Sequence, residues 1–321
     1  MNYKIKAALL GGDMRQSATA RFLSECGIEC AVWGIDPAFD IGGAVRCEDW
    51  RSAVRGAAVI ILPLPASYDG VRVNCPSLPE ARLRLSVLLD SIDHARVFGG
   101  RLPEHFVSSA AEMGIAVYDY FESEELKIKN ALPTAEGAVS IAMREMERTI
   151  NGCRAAVIGS GRVGWITASL LNSMGANVTV AARRKSELAK AGMMGMRMLR
   201  IDSESPMCGL GELACGYDLI INTVPVRLMT AEILERMSGD VVIIDLASVP
   251  GGIDLDTAGR LGLNVTWALS LPGKYAPVSA GVIIGETILS YLEGIEETER
   301  INSADVKNDD GAAEKSGEDI T

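Results

Sequence analysis

The chain has 321 residues, of which 48% are hydrophobic and 23% are charged, a composition typical of a globular protein with room for two domains. Its net charge of −11 argues against a nucleic-acid partner, which requires a basic surface, and no apolar run is long enough to span a bilayer. The chain has seven cysteines without a C-x-x-C pair and only two histidines, which indicates reduced thiols and no metal site. We see no signal peptide at the start and therefore expect a cytoplasmic protein.

The first part of the chain alternates short apolar runs with helical patterns. Helices are predicted at 14–26 and 102–113. Strands are predicted at 5–10, 28–33, 57–62, 96–98 and 115–118. Strands separated by helices indicate a parallel sheet, and ligands of such sheets bind at the carboxyl ends of the strands. We therefore expect a flavodoxin-like, substrate-side α/β domain over residues 1–130.

The turn after the first strand, Gly11-Gly12-Asp13, is a candidate ligand loop. It lacks the full G-x-G-x-x-G spacing of a nucleotide turn, so we interpret it as a substrate loop. Asp13 also suits the N-cap of the following helix. Arg15 suits either an anionic substrate or a solvated helix face. The sequence leaves both pairs of alternatives open.

A connecting helix is predicted ahead of a second domain. Residues 130–136 precede a helical run that extends to residue 150, with Thr134 as its N-cap. A Rossmann domain is expected over 131–276, and a C-terminal helix at 277–295 is assigned to the first domain. The last segment, 296–321, carries nine acidic and three basic residues without periodicity, so we expect a disordered acidic tail there.

The strongest motif lies in residues 154–164, where an apolar run ends in a G-x-G-x-x-G turn and a helix and a strand follow. Gly159 permits the tight turn, Gly161 lets the backbone approach a pyrophosphate, and Gly164 lets the helix pack on the strand. This context predicts a dinucleotide site, the alternative being a glycine-rich turn in an unrelated α/β protein. The predicted phosphate-binding residues are Gly159, Ser160, Gly161, Arg162, Val163 and Gly164.

The end of the next strand bears on the choice of cofactor. An NAD site carries Asp or Glu about 20 residues beyond the glycines to hold the ribose hydroxyls. Here alanine stands at that place, and Arg183 and Arg184 follow it. A hydrogen bond from a guanidinium to a phosphate is worth roughly 1.5–3 kcal/mol, enough to decide the preference. We therefore predict NADP, with NAD as the alternative if the two arginines are only solvated loop charges.

Three further strands are predicted in the second domain, at 218–222, 241–245 and 263–268. Asn222 and Asp245 close two of them, so both lie on the ligand side of the sheet. The loop that begins at Thr223 is expected to cover the nicotinamide ribose, and the loop that begins at Ser248 is expected to reach the ligand. The candidate cofactor residues of this region are Asn222, Thr223, Val224, Pro225 and Asp245.

A polar loop is predicted at 271–281, followed by a helix over 282–292. Within this loop, the sequence Leu271-Pro272-Gly273-Lys274-Tyr275-Ala276-Pro277 is the most distinctive. Together with Gly11-Gly12-Asp13-x-Arg15 and the run 130–138, it resembles the A subunit family of dipicolinate synthase from spore-forming bacteria, over roughly residues 3–293. The layout is also similar to that of alanine dehydrogenase and adenosylhomocysteine hydrolase.

The resemblance implies two doubly wound parallel-sheet domains with a cleft between them, and a sporulation enzyme that oxidises dihydrodipicolinate to dipicolinate with NADP. It also implies a partner, the flavoprotein-like B subunit, and we expect a homo-oligomer. A dicarboxylate substrate requires cations or N–H donors. The substrate-binding candidates are Gly12, Asp13, Arg15, Ser248, Gly251 and Lys274. The catalytic candidates, as proton acceptors, are Lys274, Tyr275 and Asp13.

Two other functions stay open. The chain could be a non-catalytic subunit that binds NADP or assembles its partner, or another two-domain amino- or keto-acid dehydrogenase. The scarcity of histidine argues against the second of these, because 2-hydroxy-acid chemistry commonly uses a histidine base.

Overall fold

The computed structural model of the chain describes residues 5–92, 94–202 and 207–294. It forms two compact units: the first takes the chain up to Leu126 and again from Gly281, and the second takes Lys127–Ala280. The acidic tail predicted at 296–321 lies outside the described residues. Within the described ranges, no helix is both long enough and apolar enough to cross a bilayer.

The first unit contains a parallel six-stranded sheet. Its strands are β1 (Lys6–Leu10), β2 (Glu29–Trp33), β3 (Val45–Arg46), β4 (Val59–Ile61), β5 (Arg96–Gly99) and β6 (Val117–Asp119). Its helices include α1 (Met14–Glu25), α2 (Trp50–Val54), α3 (Leu85–Leu89) and α4 (Glu104–Glu112). The strand order is β3-β2-β1-β4-β5-β6. Without the short edge strand β3, this is the flavodoxin order.

Apolar residues cover both faces of the first sheet. Ala7 and Leu9 of β1 pack in one hydrophobic cluster, while Ala8 and Leu10 pack in another. Helices on both sides of a parallel sheet bury every position of its central strands, so these strands have continuous apolar runs instead of alternation. This is why the central strands could be predicted from their sequence.

The second unit contains the other parallel sheet, whose order β12-β11-β10-β7-β8-β9 is that of a Rossmann domain. Its strands are β7 (Arg154–Ile158), β8 (Asn177–Ala182), β9 (Arg197–Arg200), β10 (Leu219–Asn222), β11 (Val242–Asp245) and β12 (Asn264–Trp267). After α5 (Glu124–Lys129), which leads out of the first unit, the helices are α6 (Ala131–Glu145), α7 (Arg162–Ser173), α8 (Lys185–Met193), α9 (Met207–Leu210), α10 (Ala231–Leu234), α11 (Leu255–Leu261) and α12 (Leu271–Tyr275). The predicted α/β class with two doubly wound parallel sheets is confirmed.

The predicted ends of the connecting helix α6 are wrong. Its N-cap is Asn130, and Thr134 lies inside the first turns, where its hydroxyl donates to the Asn130 carbonyl at 2.8 Å. Pro133 is tolerated near the start of the helix because backbone N–H groups have no intrahelical acceptor there. At the other end the helix stops at Glu145, since Met146 is extended.

The polar loop predicted at 271–281 is also wrong, because most of it is helical. It consists of α12 and the start of a C-terminal helix over residues 277–294. Pro272 and Pro277 each lie in the first turn of a helix, where the missing N–H of proline removes no hydrogen bond. Three residues of the C-terminal helix are buried in the core of the first unit: Ile284, Ile288 and Leu292.

Candidate functional site

The glycine turn of the second unit follows β7 directly. Gly159 has a φ of +102°, and its N–H donates to the carbonyl of Ala181 at 2.9 Å. A Cβ atom at Gly159 would collide with the Thr223 hydroxyl, which donates to the Ile158 carbonyl at 2.9 Å. Conformation and space therefore both require glycine at this position, as a tight dinucleotide-binding turn does.

The start of α7 suits an anion. Gly161 is its exposed N-cap residue, and no side chain caps the helix there. A Cβ at Gly164 would collide with the Gly159 carbonyl, whereas Gly161 has open space around it. The first N–H groups of an α-helix have no acceptor within the helix, and its dipole favours negative charge at this end. The turn and the helix start together fit a diphosphate.

The two arginines after β8 differ in their surroundings. Ala182 is the last residue of β8, so the place of the acid in an NAD site holds a small apolar residue. Arg183 follows on the exposed turn. Arg184 is the N-cap residue of α8, and its Nη2 lies 3.7 Å from a carboxylate oxygen of Glu187. Arg183 is therefore the better placed of the two for a 2′-phosphate.

A buried polar network joins the ends of β10 and β11. Asn222 and Asp245 are 0% and 1% exposed, and the Asn222 amide donates to Asp245 Oδ1 at 2.8 Å. The same oxygen accepts from Ala247 N–H at 3.0 Å, and Oδ2 accepts from Gly252 N–H at 2.8 Å. The Asn222 side chain also exchanges two hydrogen bonds with the Val224 backbone, of 3.0 and 3.1 Å.

This network fixes the loops that follow the two strands. Both carboxylate oxygens of Asp245 are engaged by the protein itself, so its role is to hold these loops in place. Thr223 and Val224 are partly exposed and Pro225 is exposed, which leaves these residues accessible to a ligand. Gly252, a further member of the network, carries no signal in the sequence, because only the fold brings it to Asp245.

The glycine turn of the first unit has a different structure. Gly11 N–H donates to the Trp33 carbonyl at 2.7 Å, and Gly12 N–H donates to the Asn74 carbonyl at 2.9 Å. A Cβ at Gly11 would lie 2.5 Å from the same Asn74 oxygen. The chain itself thus covers this turn, and the N–H of Gly12 that was predicted to bind substrate already has an acceptor.

The predicted substrate residues Asp13 and Arg15 are paired with each other. Asp13 caps α1 by accepting from Arg15 N–H at 3.0 Å, and the two side chains form an ion pair of 2.8 Å. The Arg15 guanidinium also donates to the Leu64 carbonyl and is only 11% exposed. Burial lowers the pKa of Arg15, but the hydrogen bond and charge of Asp13 outweigh it and raise the pKa overall. The charge of Arg15 is therefore already balanced, which argues against the predicted role.

The remaining candidates lie in the second unit. Lys274 and Tyr275 are exposed residues of α12, and the Tyr275 ring packs beside Gly137 of α6. Ser248 is exposed, and its carbonyl accepts from Gly251 N–H at 2.8 Å. The Gly251 donor is therefore engaged within its own loop, while the side chains of Ser248 and Lys274 are accessible.

Comparisons with known proteins agree with this architecture. Residues 6–121 match the family described as the N-terminal domain of the dipicolinate synthase A subunit. Residues 129–310 match the alanine dehydrogenase/PNT C-terminal domain, which indicates a nicotinamide dinucleotide-binding fold of dehydrogenase type.

Relatives match the chain over almost its whole length. It is 33% identical over 298 residues to the A subunit of dipicolinate synthase from Bacillus subtilis (strain 168), covering 92% of this chain and 98% of that protein. The crystal structure of the same subunit from Bacillus subtilis has a TM-score of 0.80 at 31% identity and covers 93% of this chain and 99% of its own. The crystal structure of the A subunit from Bacillus halodurans has a TM-score of 0.79 at 28% identity, covering 91% and 99%. The chain therefore belongs to the family of dipicolinate synthase A subunits.

Proposed function

We propose that the chain oxidises dihydrodipicolinate to dipicolinate with hydride transfer to NADP, in the cytoplasm of sporulating cells and together with a flavoprotein-like B subunit. The observation that carries the proposal is the glycine turn of the second unit. Its exposed helix start lacks a side-chain cap and suits a diphosphate, in a chain of the dipicolinate synthase A family.

The reaction removes a hydride and a proton from the substrate ring. A nicotinamide bound at the glycine turn would supply the hydride acceptor. One ring C–H bond then breaks with its electron pair, and a second ring hydrogen leaves as a proton to a base or to water. The product ring is aromatic, which makes the oxidation favourable. The task left to the protein is to hold the two carboxylates and to orient the ring carbon.

The three candidate proton acceptors are not equally suited. The carboxylate of Asp13 already accepts hydrogen bonds from the backbone and the guanidinium of Arg15. Lys274 and Tyr275 are exposed on α12 and so accessible to substrate. Accessibility therefore favours Lys274 and Tyr275 over Asp13 as residues that contact the substrate, and water is a sufficient proton acceptor if none of the three takes the proton.

The preference for NADP is proposed to depend on Arg183. Replacing it in Arg183→Ala should weaken NADP binding roughly 10- to 100-fold and leave NAD binding unchanged, since one charge-assisted hydrogen bond is lost. Arg184→Ala is the matched control, because that guanidinium lies near Glu187. Titration of each variant with both cofactors measures the ratio. Equal losses for NADP and NAD in Arg183→Ala would refute the assignment.

Turnover tests the function directly. The purified chain is mixed with NADP and freshly generated dihydrodipicolinate, with and without the B subunit, and NADPH and dipicolinate are measured together. Equal amounts of the two products, formed by the chain alone or with its partner, support the proposal. NADP binding without turnover in either mixture would overturn the enzymatic proposal and leave the chain with a role in binding or assembly.

A further inference from the structure

The turn after β5 is tied to the loop that follows β4 in the first unit. Gly100 N–H donates to the Pro63 carbonyl at 3.2 Å, and the Gly100 carbonyl accepts from Ala66 N–H at 2.7 Å. Leu64 packs against Gly100, and its carbonyl accepts from the Arg15 guanidinium. The loops after β1, β4 and β5 therefore form one connected surface at the carboxyl edge of the sheet, where α/β folds bind ligands.

Arg101 follows Gly100 on this edge in an unfavourable backbone conformation. Its φ of +54° is in the left-handed region, which favours glycine over residues with a Cβ. Asp119 holds it there by accepting from Arg101 N–H at 3.1 Å and from Leu102 N–H at 2.8 Å. The same carboxylate accepts from Phe121 N–H at 2.9 Å, so the ends of β5 and β6 are locked together. Glycine would meet the backbone demand better, so the benefit of arginine here lies in its side chain.

The charge of Arg101 is placed differently from that of Arg15. Arg15 is almost buried and paired with Asp13, whereas Arg101 is exposed, with its guanidinium carbon 5.1 Å from the centroid of the Phe121 ring. Among the residues that the structure describes, no ion pair involves the Arg101 guanidinium. A guanidinium stacked on a ring face keeps its N–H edge for a planar carboxylate, which it binds with two parallel hydrogen bonds.

We propose that Arg101 binds one carboxylate of the substrate at the carboxyl edge of the first sheet and so selects for a dicarboxylate. The inference rests on the proposed function for the identity of the ligand. Arg101 thereby supplies the cation that the sequence pattern assigns to Arg15. In this arrangement Asp119 is a positioning residue, since it acts through the backbone of Arg101 and Leu102.

Two variants of the full chain separate this role from a structural one. Arg101→Gly removes the guanidinium and relieves the positive φ, so its melting temperature should be unchanged or raised. Arg101→Lys keeps the charge but loses the bidentate fork. Arg55→Ala is the matched control, because it removes an exposed positive charge that precedes β4 and so lies at the opposite edge of the sheet.

Binding is measured by calorimetry with dipicolinate and with pyridine-2-carboxylate, on chain saturated with NADP. Arg101→Gly should weaken dipicolinate binding roughly 10- to 100-fold, and Arg101→Lys should weaken it less. Pyridine-2-carboxylate, which has one carboxylate, should lose less than about threefold, since it can bind without the Arg101 contact. Arg55→Ala should bind both ligands like the unaltered chain.

Three results would overturn the assignment. The first is unchanged dipicolinate binding by Arg101→Gly, and the second is an equal loss for both ligands together with a lower melting temperature. The third is a loss of dipicolinate binding in Arg55→Ala as large as that in Arg101→Gly, which would show that the effect comes from the net charge of the chain and not from a contact with Arg101. If the unaltered chain binds no dipicolinate and forms no NADPH, the proposed function itself fails. If it does both, any of the three results removes only the role of Arg101.

Discussion

The Asp245 network allows a quantitative test of how the second unit holds its ligand-side loops. Asp245→Asn keeps the size of the side chain but replaces one acceptor oxygen by an NH₂ group. Oδ1 can still accept from Asn222 and Ala247, so the new amide must face the N–H of Gly252. Two donors then oppose each other in a site that is 1% exposed.

The expected loss of stability in Asp245→Asn follows from these hydrogen bonds. A hydrogen bond to a charged acceptor contributes roughly 1.5–3 kcal/mol, and a buried donor left without an acceptor costs about 1–3 kcal/mol. The Asn variant should therefore lower the free energy of unfolding of the second unit by about 3 kcal/mol. Asp245→Ala, which leaves three donors without their acceptor, should lose more and approach the whole stability of an ordinary domain.

Urea unfolding and native-state hydrogen exchange of the segment 246–252 measure these effects. The matched control is Asp254→Asn, the same substitution at the N-cap of α11, because asparagine caps a helix as well as aspartate does. Faster exchange in that segment and weaker binding of a nicotinamide dinucleotide should accompany the loss of stability in Asp245→Asn. A loss below about 1 kcal/mol, with unchanged exchange, would refute the reasoning that this carboxylate organises the loops.

Three further predictions concern single sites. Gly164→Ala should destabilise the second unit in thermal unfolding because its Cβ meets a backbone carbonyl, whereas Gly161→Ala should fold normally and bind a nicotinamide dinucleotide more weakly. Equal melting temperatures of the two variants would contradict this difference. Burial raises the pKa of the Cys30 thiol to about 12, so at about pH 8 iodoacetamide should label exposed Cys215 and spare Cys30; mass spectrometry showing equal labelling of the two in the folded chain would contradict this. The stability that this neutral thiol contributes is fully present below its ordinary pKa of 9.0 and should fall as the pH rises toward 12. Asp13→Ala should lower the free energy of unfolding in urea by about 2 kcal/mol, since it removes both a helix cap and the partner of the nearly buried Arg15. Asp13→Ser should lower it less because serine still caps the helix, and equal losses in the two variants would show that the cap contributes little.

The fold was predictable where burial imposes a simple pattern. The central strands of both sheets have uninterrupted apolar runs, and Asn222 and Asp245 break two of those runs where the strands end. Two of the four edge strands, β3 and β9, were missed, whereas the edge strands β6 and β12 were predicted. Three of the four residues of β9 and both residues of β3 are exposed, so solvent permits polar side chains that remove the apolar signal.

The candidate site was predictable only in part, because local sequence does not show which groups are already engaged. The spacing of the glycines identified the turn at Gly159, whose φ and close contacts are set by nearby residues. The turn at Gly12 resembled a ligand loop, but a backbone carbonyl from Asn74, far along the chain, occupies its donor. Arg15 likewise suited an accessible cation in the sequence, but the fold places it between Asp13 and Leu64.

The division of the chain into units has a consequence for its synthesis. The second unit is one continuous segment, Lys127–Ala280, whereas the first is assembled from both sides of it. Ile284, Ile288 and Leu292 complete the hydrophobic core of the first unit, yet they leave the ribosome after every residue of the second. Because domains fold as units during translation, the dinucleotide-binding unit can reach its native structure first. The first unit, which contains β1, cannot complete its core until the C-terminal helix has been synthesised. Premature termination near residue 280 would therefore yield a folded second unit attached to a first unit without a complete core.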